Sequence, residues 1–203
     1  MSENTRRAKG LLRRVLRDRR RSFAGDPALL ILDIEKWPQK WQDKVMSAGV
    51  VALYMPIDEE LHLEMLLEKL SSHSIRTCFP RVEGEEIAFY EAEKTDSFEP
   101  GSFSIPEPGS GSEKVDPSLI DIMFIPGMAF DLDGTRLGRG KGYYDRFFGA
   151  LDPEKRPVCL GVAVKKNIFS AFPKDPWDLK VDALVTETSF TEFPDTMSEE
   201  VEF

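Results

Sequence analysis

Between Arg136 and Asp145 the chain reads Arg-Leu-Gly-Arg-Gly-Lys-Gly-Tyr-Tyr-Asp. Gly138, Gly140 and Gly142 alternate with the cations Arg139 and Lys141, and Arg136 adds a third cation just ahead. Glycines let backbone N–H groups approach an anion without interference from side chains. Tyr144, Phe147, Phe148 and Leu151 continue as the apolar face of a helix. The first turn of that helix supplies unsatisfied N–H groups and a partial positive charge. The chemistry such a loop supports is the holding of phosphate. On residue types alone, a solvated basic turn stays open as the alternative. The spacing is not that of the dinucleotide fingerprint, nor of a Walker P-loop, which needs Gly-Lys-Ser/Thr after a longer loop.

The elements that must position this loop are legible on either side of it. Ile120 to Ile125 is a short, β-branched apolar run and predicts a buried strand. Pro126-Gly127 stops the strand, and Asp131-Leu132-Asp133-Gly134 makes a second turn. The predicted order is strand, glycine-rich cationic loop, helix.

The stretch PGMAFDLDGTRLGRGKGYYDRFF closely resembles the signature of the 5-formyltetrahydrofolate cyclo-ligase family, also called 5,10-methenyltetrahydrofolate synthetases. That family carries Pro-Gly-x-x-Phe-Asp, then Arg-Leu-Gly-Arg-Gly-x-Gly-Tyr-Tyr-Asp, and this chain fills every position. The resemblance implies ATP-dependent ring closure of 5-formyltetrahydrofolate to 5,10-methenyltetrahydrofolate. The formyl oxygen would be phosphorylated, N10 would attack the formyl carbon, and phosphate would leave. Such a reaction needs charge compensation and alignment. It needs no Ser-His-Asp or cysteine nucleophile, and the sequence offers no convincing one.

The resemblance also assigns residues. Family members contact ATP phosphates through Lys-x-x-x-Arg on a first helix, which Lys9 and Arg13 match at a spacing that puts both on one face. The implied ATP set is Lys9 and Arg13 with Arg136, Leu137, Gly138, Arg139, Gly140, Lys141, Gly142, Tyr143 and Tyr144. Of these, Lys141, Arg139 and Tyr143 are the implied catalytic residues. Folate is implied to touch Met55, Glu60, Phe103 and the loop residues Arg139, Gly140, Lys141, Gly142 and Tyr143. Glu59 is an alternative to Glu60, and Phe103 matches an aromatic that lies against the pterin ring. Asp145 and Asp182 match the aspartates that hold Mg²⁺. By type alone, Asp145 equally suits a helix cap, Asp182 a turn acceptor, and Phe103 a cap on the core.

Composition sets the frame. A chain of 203 residues, 41% hydrophobic and 31% charged, suits one globular domain. Cys78 and Cys159 make no disulfide framework, and a reducing cytoplasm is the simplest setting. No apolar run reaches membrane-spanning length, and the basic N-terminus lacks the apolar core of a signal peptide. Residues 1–25 hold nine of the 27 basic residues and only Glu3 and Asp18 of the 36 acidic ones. That basic segment invites a nucleic-acid reading. The remainder, with 18 basic against 34 acidic residues, argues against a broad nucleic-acid surface. A monomer with no nucleic-acid or membrane partner is expected.

Along the chain, Thr5 to Arg21 predicts a helix with Leu11, Leu12, Val15 and Leu16 as its apolar stripe. Asp26-Pro27 predicts the start of a helix running through Leu29–Leu32 and ending before Pro38. Gly49–Met55 predicts a buried strand, and Asp58-Glu59-Glu60 the acidic start of a helix carrying Leu61, Met65, Leu66 and Leu70. Strands are expected at 87–91 and 157–164, the resemblance implies further strands at 75–81 and within 175–187, and a surface loop is expected at 100–112, with frayed ends at 1–4 and 191–203. Strands alternating with helices predict an α/β fold, a three-layer domain with a mostly parallel central sheet. The family fold is similar to the sugar-phosphate isomerase and CoA-transferase group.

Overall fold

The computed structural model describes residues 3–21, 31–57 and 60–194. Its centre is a seven-stranded sheet. In chain order the strands are β1 (Val50–Ala52), β2 (Arg76–Glu83), β3 (Glu86–Glu91), β6 (Ile122–Pro126), β9 (Val158–Val162), β11 (Ala183–Val185) and β12 (Phe190–Glu192). Their order across the sheet is β12-β11-β9-β6-β1-β2-β3. The five inner strands are parallel, and β12 and β3 close the edges antiparallel. Two-residue β4 (Glu99–Pro100) and β5 (Pro106–Glu107) form a small hairpin, and β7 (Ala129–Asp131), β8 (Arg136–Leu137) and β10 (Ile168–Phe169) form a second sheet.

Residues of period two divide the core into two layers. Ile122 and Phe124 of β6 join Val51, Leu160 and Val185 on one face, where α2 (Gln39–Met46) and α3 (Glu64–Ser72) pack. Met123 and Ile125 join Val50, Ala52 and Cys159 on the other, against Phe147 and Phe148 of α4 (Tyr143–Ala150). Parallel strands buried on both faces explain the uninterrupted apolar runs in the sequence. Helix α1 (Glu3–Arg21) lays Leu12 and Leu16 on the second sheet, beside Met128, Ala129 and Leu137.

The expected α/β order is present, with four local differences. Only half of the α1 stripe is buried: Leu16 is enclosed, whereas Leu11 and Val15 face solvent at 54% and 62% exposure. The inward face runs through Lys9, Leu12, Arg13 and Leu16 instead. Residues 31–33 are not helical, because the Leu32 N–H is taken by the carbonyl of His62; only a 3-10 turn, Ile34–Lys36, follows, capped by Asp33. Asp26–Leu30 lie outside the described residues. Trp37 and Trp41 are core residues, and α2 starts beyond Pro38.

Helix α3 starts at Glu64, not at Leu61. The Tyr54 hydroxyl and the Leu32 N–H occupy the carbonyls of Leu61 and His62, which a helix would have used. Glu60 is therefore no first-turn residue, and Asp58 and Glu59 lie outside the described residues. Finally, the tail is ordered further than expected, since residues 190–192 pair with β11 as an edge strand. No described helix is long and apolar enough to cross a membrane.

Candidate active site

From β1 the chain proceeds outward to β2 and β3; from β6 it proceeds the opposite way to β9, β11 and β12. The strand order thus reverses between β1 and β6, and an open α/β sheet binds ligands in the crevice at such a reversal, outside the strands' carboxyl ends. A cavity of about 670 Å³ lies there. Tyr54, Met55 and Glu60 line it from the exit of β1, and Pro126, Gly127 and Met128 from the exit of β6. Phe103 closes it from the β4–β5 hairpin, and Gly138, Arg139 and Lys141 through Asp145 form the remaining wall.

The glycine-rich loop takes a shape that other residues disfavour. Gly140 has φ +96° and Gly142 φ +72°. Gly142 is the residue before α4, and no side chain caps the helix, so its first-turn N–H groups keep their capacity for a ligand. The loop is pinned at both ends. Arg13 Nε donates to the carbonyl of Gly138 at 2.8 Å, and Arg146 Nη1 donates to that of Lys141 at 2.9 Å. The Arg13 side chain also lies against Gly140. Sequence reasoning did not single out Arg146; nothing in its local spacing distinguishes it from a solvated helix residue.

Arg136 is buried, donates from Nε to the Pro126 carbonyl at 2.7 Å, and stands 4.7 Å over the Tyr144 ring. Burial lowers the pKa of both Arg136 and Arg13, against which Asp145 acts; guanidinium groups remain charged at neutral pH all the same. Burial also raises the Tyr144 and Tyr54 phenols above their ordinary value, so both stay protonated. Tyr54 donates to the Leu61 carbonyl at 2.7 Å. Arg139 Nη2 meets Glu60 Oε1 at 2.9 Å. Phe103, Tyr143 and Lys141 form a looser group: the Phe103 ring stands 6.3 Å from that of Tyr143, and Lys141 Nζ stands 5.5 Å from the Phe103 ring. Phe103 is 60% exposed and held at φ +59°, so it is not a cap on the core.

Not every residue singled out in the sequence reaches this cavity. Leu137 is buried in β8, in the core beneath α1. Lys9 is 3% exposed and binds Asp175 at 2.8 Å and Asp178 at 2.5 Å. Asp182 Oδ2 accepts from the Cys159 N–H at 2.6 Å and its Oδ1 from Arg156 at 3.3 Å, locking β11 to β9, and it lines no cavity described here. Asp145 differs: its carboxylate faces the cavity and takes no hydrogen bond or ion pair from the described residues. It lines a second cavity too, with Asp175, Asp178 and Trp177. The sequence marks that second group only by acids three apart around a tryptophan, a weak signal.

Mg²⁺ takes oxygen ligands and commonly only one or two carboxylates beside phosphate. Asp145 fits that requirement, with Asp178 in the adjoining cavity; Asp182, with both oxygens engaged, fits a structural role. No group of three or more potential metal ligands occurs among the described residues.

Comparison with known proteins agrees with this architecture. The model of the 5-formyltetrahydrofolate cyclo-ligase family matches residues 5–187. The mouse 5-formyltetrahydrofolate cyclo-ligase is 29% identical over 150 residues, covering 68% of this chain and 73% of the mouse protein. The structure of Aquifex aeolicus 5,10-methenyltetrahydrofolate synthetase superposes with a TM-score of 0.69 at 34% identity, covering 95% of this chain and 96% of that one. The Mycoplasma pneumoniae 5,10-methenyltetrahydrofolate synthetase gives a TM-score of 0.65 at 27% identity, over 88% and 98% of the two chains. With a family match across nearly its whole length and a fold shared with two synthetases, the chain belongs to the 5-formyltetrahydrofolate cyclo-ligase family.

Proposed function

We propose that this chain, as one domain, converts 5-formyltetrahydrofolate and ATP to 5,10-methenyltetrahydrofolate, ADP and phosphate. The observation that carries the reading is the cavity at the sheet's reversal point. It joins an apolar, aromatic side (Tyr54, Met55, Phe103) to a cationic glycine-rich wall. A flat pterin suits the first and a triphosphate the second.

The formyl oxygen is a poor leaving group until ATP phosphorylates it. The P–O bond to ADP then breaks as the bond to the formyl oxygen forms. N10 next attacks the formyl carbon, and the C–O bond breaks to release phosphate. In this reading Arg139 and Lys141 compensate the charge on the transferred group, and Tyr143 orients it. Arg13 and Arg136 hold the loop in shape from behind and lend it positive potential. Glu60 fixes Arg139 and meets the folate. Mg²⁺, when bound with ATP, would neutralise phosphate charge, and Asp145 would hold it. Lys9 acts through Asp175 and Asp178. The reading extends to a monomer in a reducing cytoplasm; that residues of one chain line the cavity from several sides supports the first, and two buried free thiols the second.

An absorbance assay tests it. Protein, 5-formyltetrahydrofolate and Mg-ATP are mixed, and the near-ultraviolet band of the methenyl product is followed with and without ATP. An ATP-dependent rise is expected. Lys141→Ala should slow it by about 100-fold, if the cation contributes like one oxyanion-hole donor. A flat trace from folded protein would overturn the assignment.

A further inference from the structure

The hairpin that carries Phe103 is braced within itself. The Gly101 N–H donates to the Ile105 carbonyl at 3.0 Å, the Ile105 N–H to that of Ser102 at 3.1 Å, and Glu107 Oε1 accepts from the Ser102 N–H at 3.1 Å. Its two stems meet the central sheet through side chains of β2. Ahead of β4, the Phe98 ring packs edge-on against Phe79, with centroids 5.1 Å apart. Beyond β5, Arg81 Nη1 donates to the Gly109 carbonyl at 3.1 Å and reaches that of Pro108 at 3.5 Å. Pro80 and Val82 line the first cavity, whereas Arg81 between them lines neither cavity described above. The guanidinium is itself held in place. Its carbon stands 3.4 Å from the centre of the Tyr90 ring, and Nη2 stands 3.7 Å from Glu83 Oε1. Tyr90 is buried and donates its hydroxyl to Glu83, and Lys114 Nζ donates to the same carboxylate at 2.7 Å. A guanidinium stacked on an aromatic face keeps its N–H donors in a fixed plane, which a lysine ammonium does not reproduce.

Resting on the reading of the first cavity as the folate site, we infer that Arg81 is a positioning residue for the folate. Stacked on Tyr90, it holds the carbonyls of Pro108 and Gly109 and so fixes the hairpin that presents Phe103 to the flat ring. Phe103 needs such support: its φ of +59° is a conformation that persists only where the surroundings over-determine it. Arg81 therefore acts on affinity for the folate. It has no part in phosphoryl transfer, because the glycine-rich loop is held by Arg13 and Arg146 instead.

Titration calorimetry of the full chain with 5-formyltetrahydrofolate alone reads this affinity apart from turnover. Arg81→Met is expected to weaken the folate several-fold, by no more than Phe103→Leu does, while kcat and the KM for Mg-ATP stay unchanged. The double variant is expected to bind within about two-fold of Phe103→Leu, since two changes that act through one contact do not add. Arg81→Lys keeps the charge but loses the stacked fork, and it is expected to behave as Arg81→Met does. Full recovery in Arg81→Lys would reduce the residue to long-range attraction for the folate's carboxylates and overturn the inference. Wild-type affinity in Arg81→Met, or losses that multiply in the double variant, would overturn it as well. Should Arg81→Met not fold, as its melting curve would show, Arg81→Lys alone and with Phe103→Leu decides in the same way. If the wild type binds the folate but makes no methenyl product, the enzyme assignment falls and the variants still decide the inference. If the wild type binds no folate, the inference and the reading of the cavity fall together.

Discussion

Arg139 Nη2 donates to Glu60 Oε1 at 2.9 Å across 79 positions of sequence. The contact ties the glycine-rich loop to the segment leaving β1, joining two walls of the cavity. Glu60 is 6% exposed and also accepts from the Ile57 N–H at 3.3 Å, whereas the Arg139 side chain is 41% exposed. Glu60→Gln is expected to cost about 1–2 kcal/mol of stability, less than a fully buried pair because Arg139 is solvent-screened. It should also lower kcat/KM for the folate. Thermal melting and steady-state kinetics check both, and an unchanged variant would show the pair to be incidental.

Phe103 combines exposure with a left-handed backbone, which a residue other than glycine adopts at a cost. Its ring contributes little to the core. Phe103→Leu should therefore melt within about 0.5 kcal/mol of wild type, as exposed substitutions do. It should raise KM for the folate several-fold through loss of the flat face. A large fall in melting temperature would place the ring in the core instead.

The two aspartates expected to hold magnesium should separate. Asp145→Asn should keep the melting temperature and require more Mg²⁺ for half-maximal rate. Asp182→Asn should lose stability by about 1–3 kcal/mol, since the Cys159 N–H and Arg156 lose a charged acceptor, with little change in Mg²⁺ dependence. Magnesium titrations of the rate, paired with thermal melts, distinguish them; the reverse pattern would return Asp182 to the metal.

Stability should fall at both ends of the pH scale. Hydrogen bonds from Lys114 and Tyr90 hold Glu83 below its ordinary pKa of 4.5, Lys174 holds Asp133 below 3.8, and the Ser118 N–H holds Asp116 below 3.8. A depressed carboxylate stabilises the fold above its unfolded pKa and loses that contribution as pH falls through the folded value. Acid destabilisation should therefore set in below about pH 4.5. Burial pushes the Cys78 and Cys159 thiols up from 9.0 to about 12. A raised thiol stabilises below its unfolded pKa, so stability should decline again between about pH 9 and pH 12. Urea melts across the range test both limbs.

The same burial keeps the thiolate scarce and unreachable. Neither cysteine should react with a thiol reagent at pH 8 in folded protein, and both should react in denaturant. Rapid labelling of the native protein would contradict the buried placement.

The central unit of strand β6, the turns, the glycine-rich loop and α4 is legible in the sequence, because every signal there is local. A β-branched run, a Pro-Gly stop, alternate glycines and a helical repeat each act on neighbours within a few residues. The resemblance carried by that unit was enough to name the family. Local signals also misled where distant partners compete for the backbone. Leu32 bonds His62, and α3 begins three residues late because Tyr54 and Leu32 take the carbonyls before it.

Which of the matched residues meet is set by the folded chain. Lys9 finds Asp175 and Asp178 from 166 and 169 positions away, and Asp182 turns to Cys159 and Arg156 in the adjacent strand and its approach. Asp145 alone of the expected metal pair faces the cavities. A side chain's type and spacing define what it can bond; which partner it meets depends on where the sheet places segments far apart in the chain, and no local pattern encodes that.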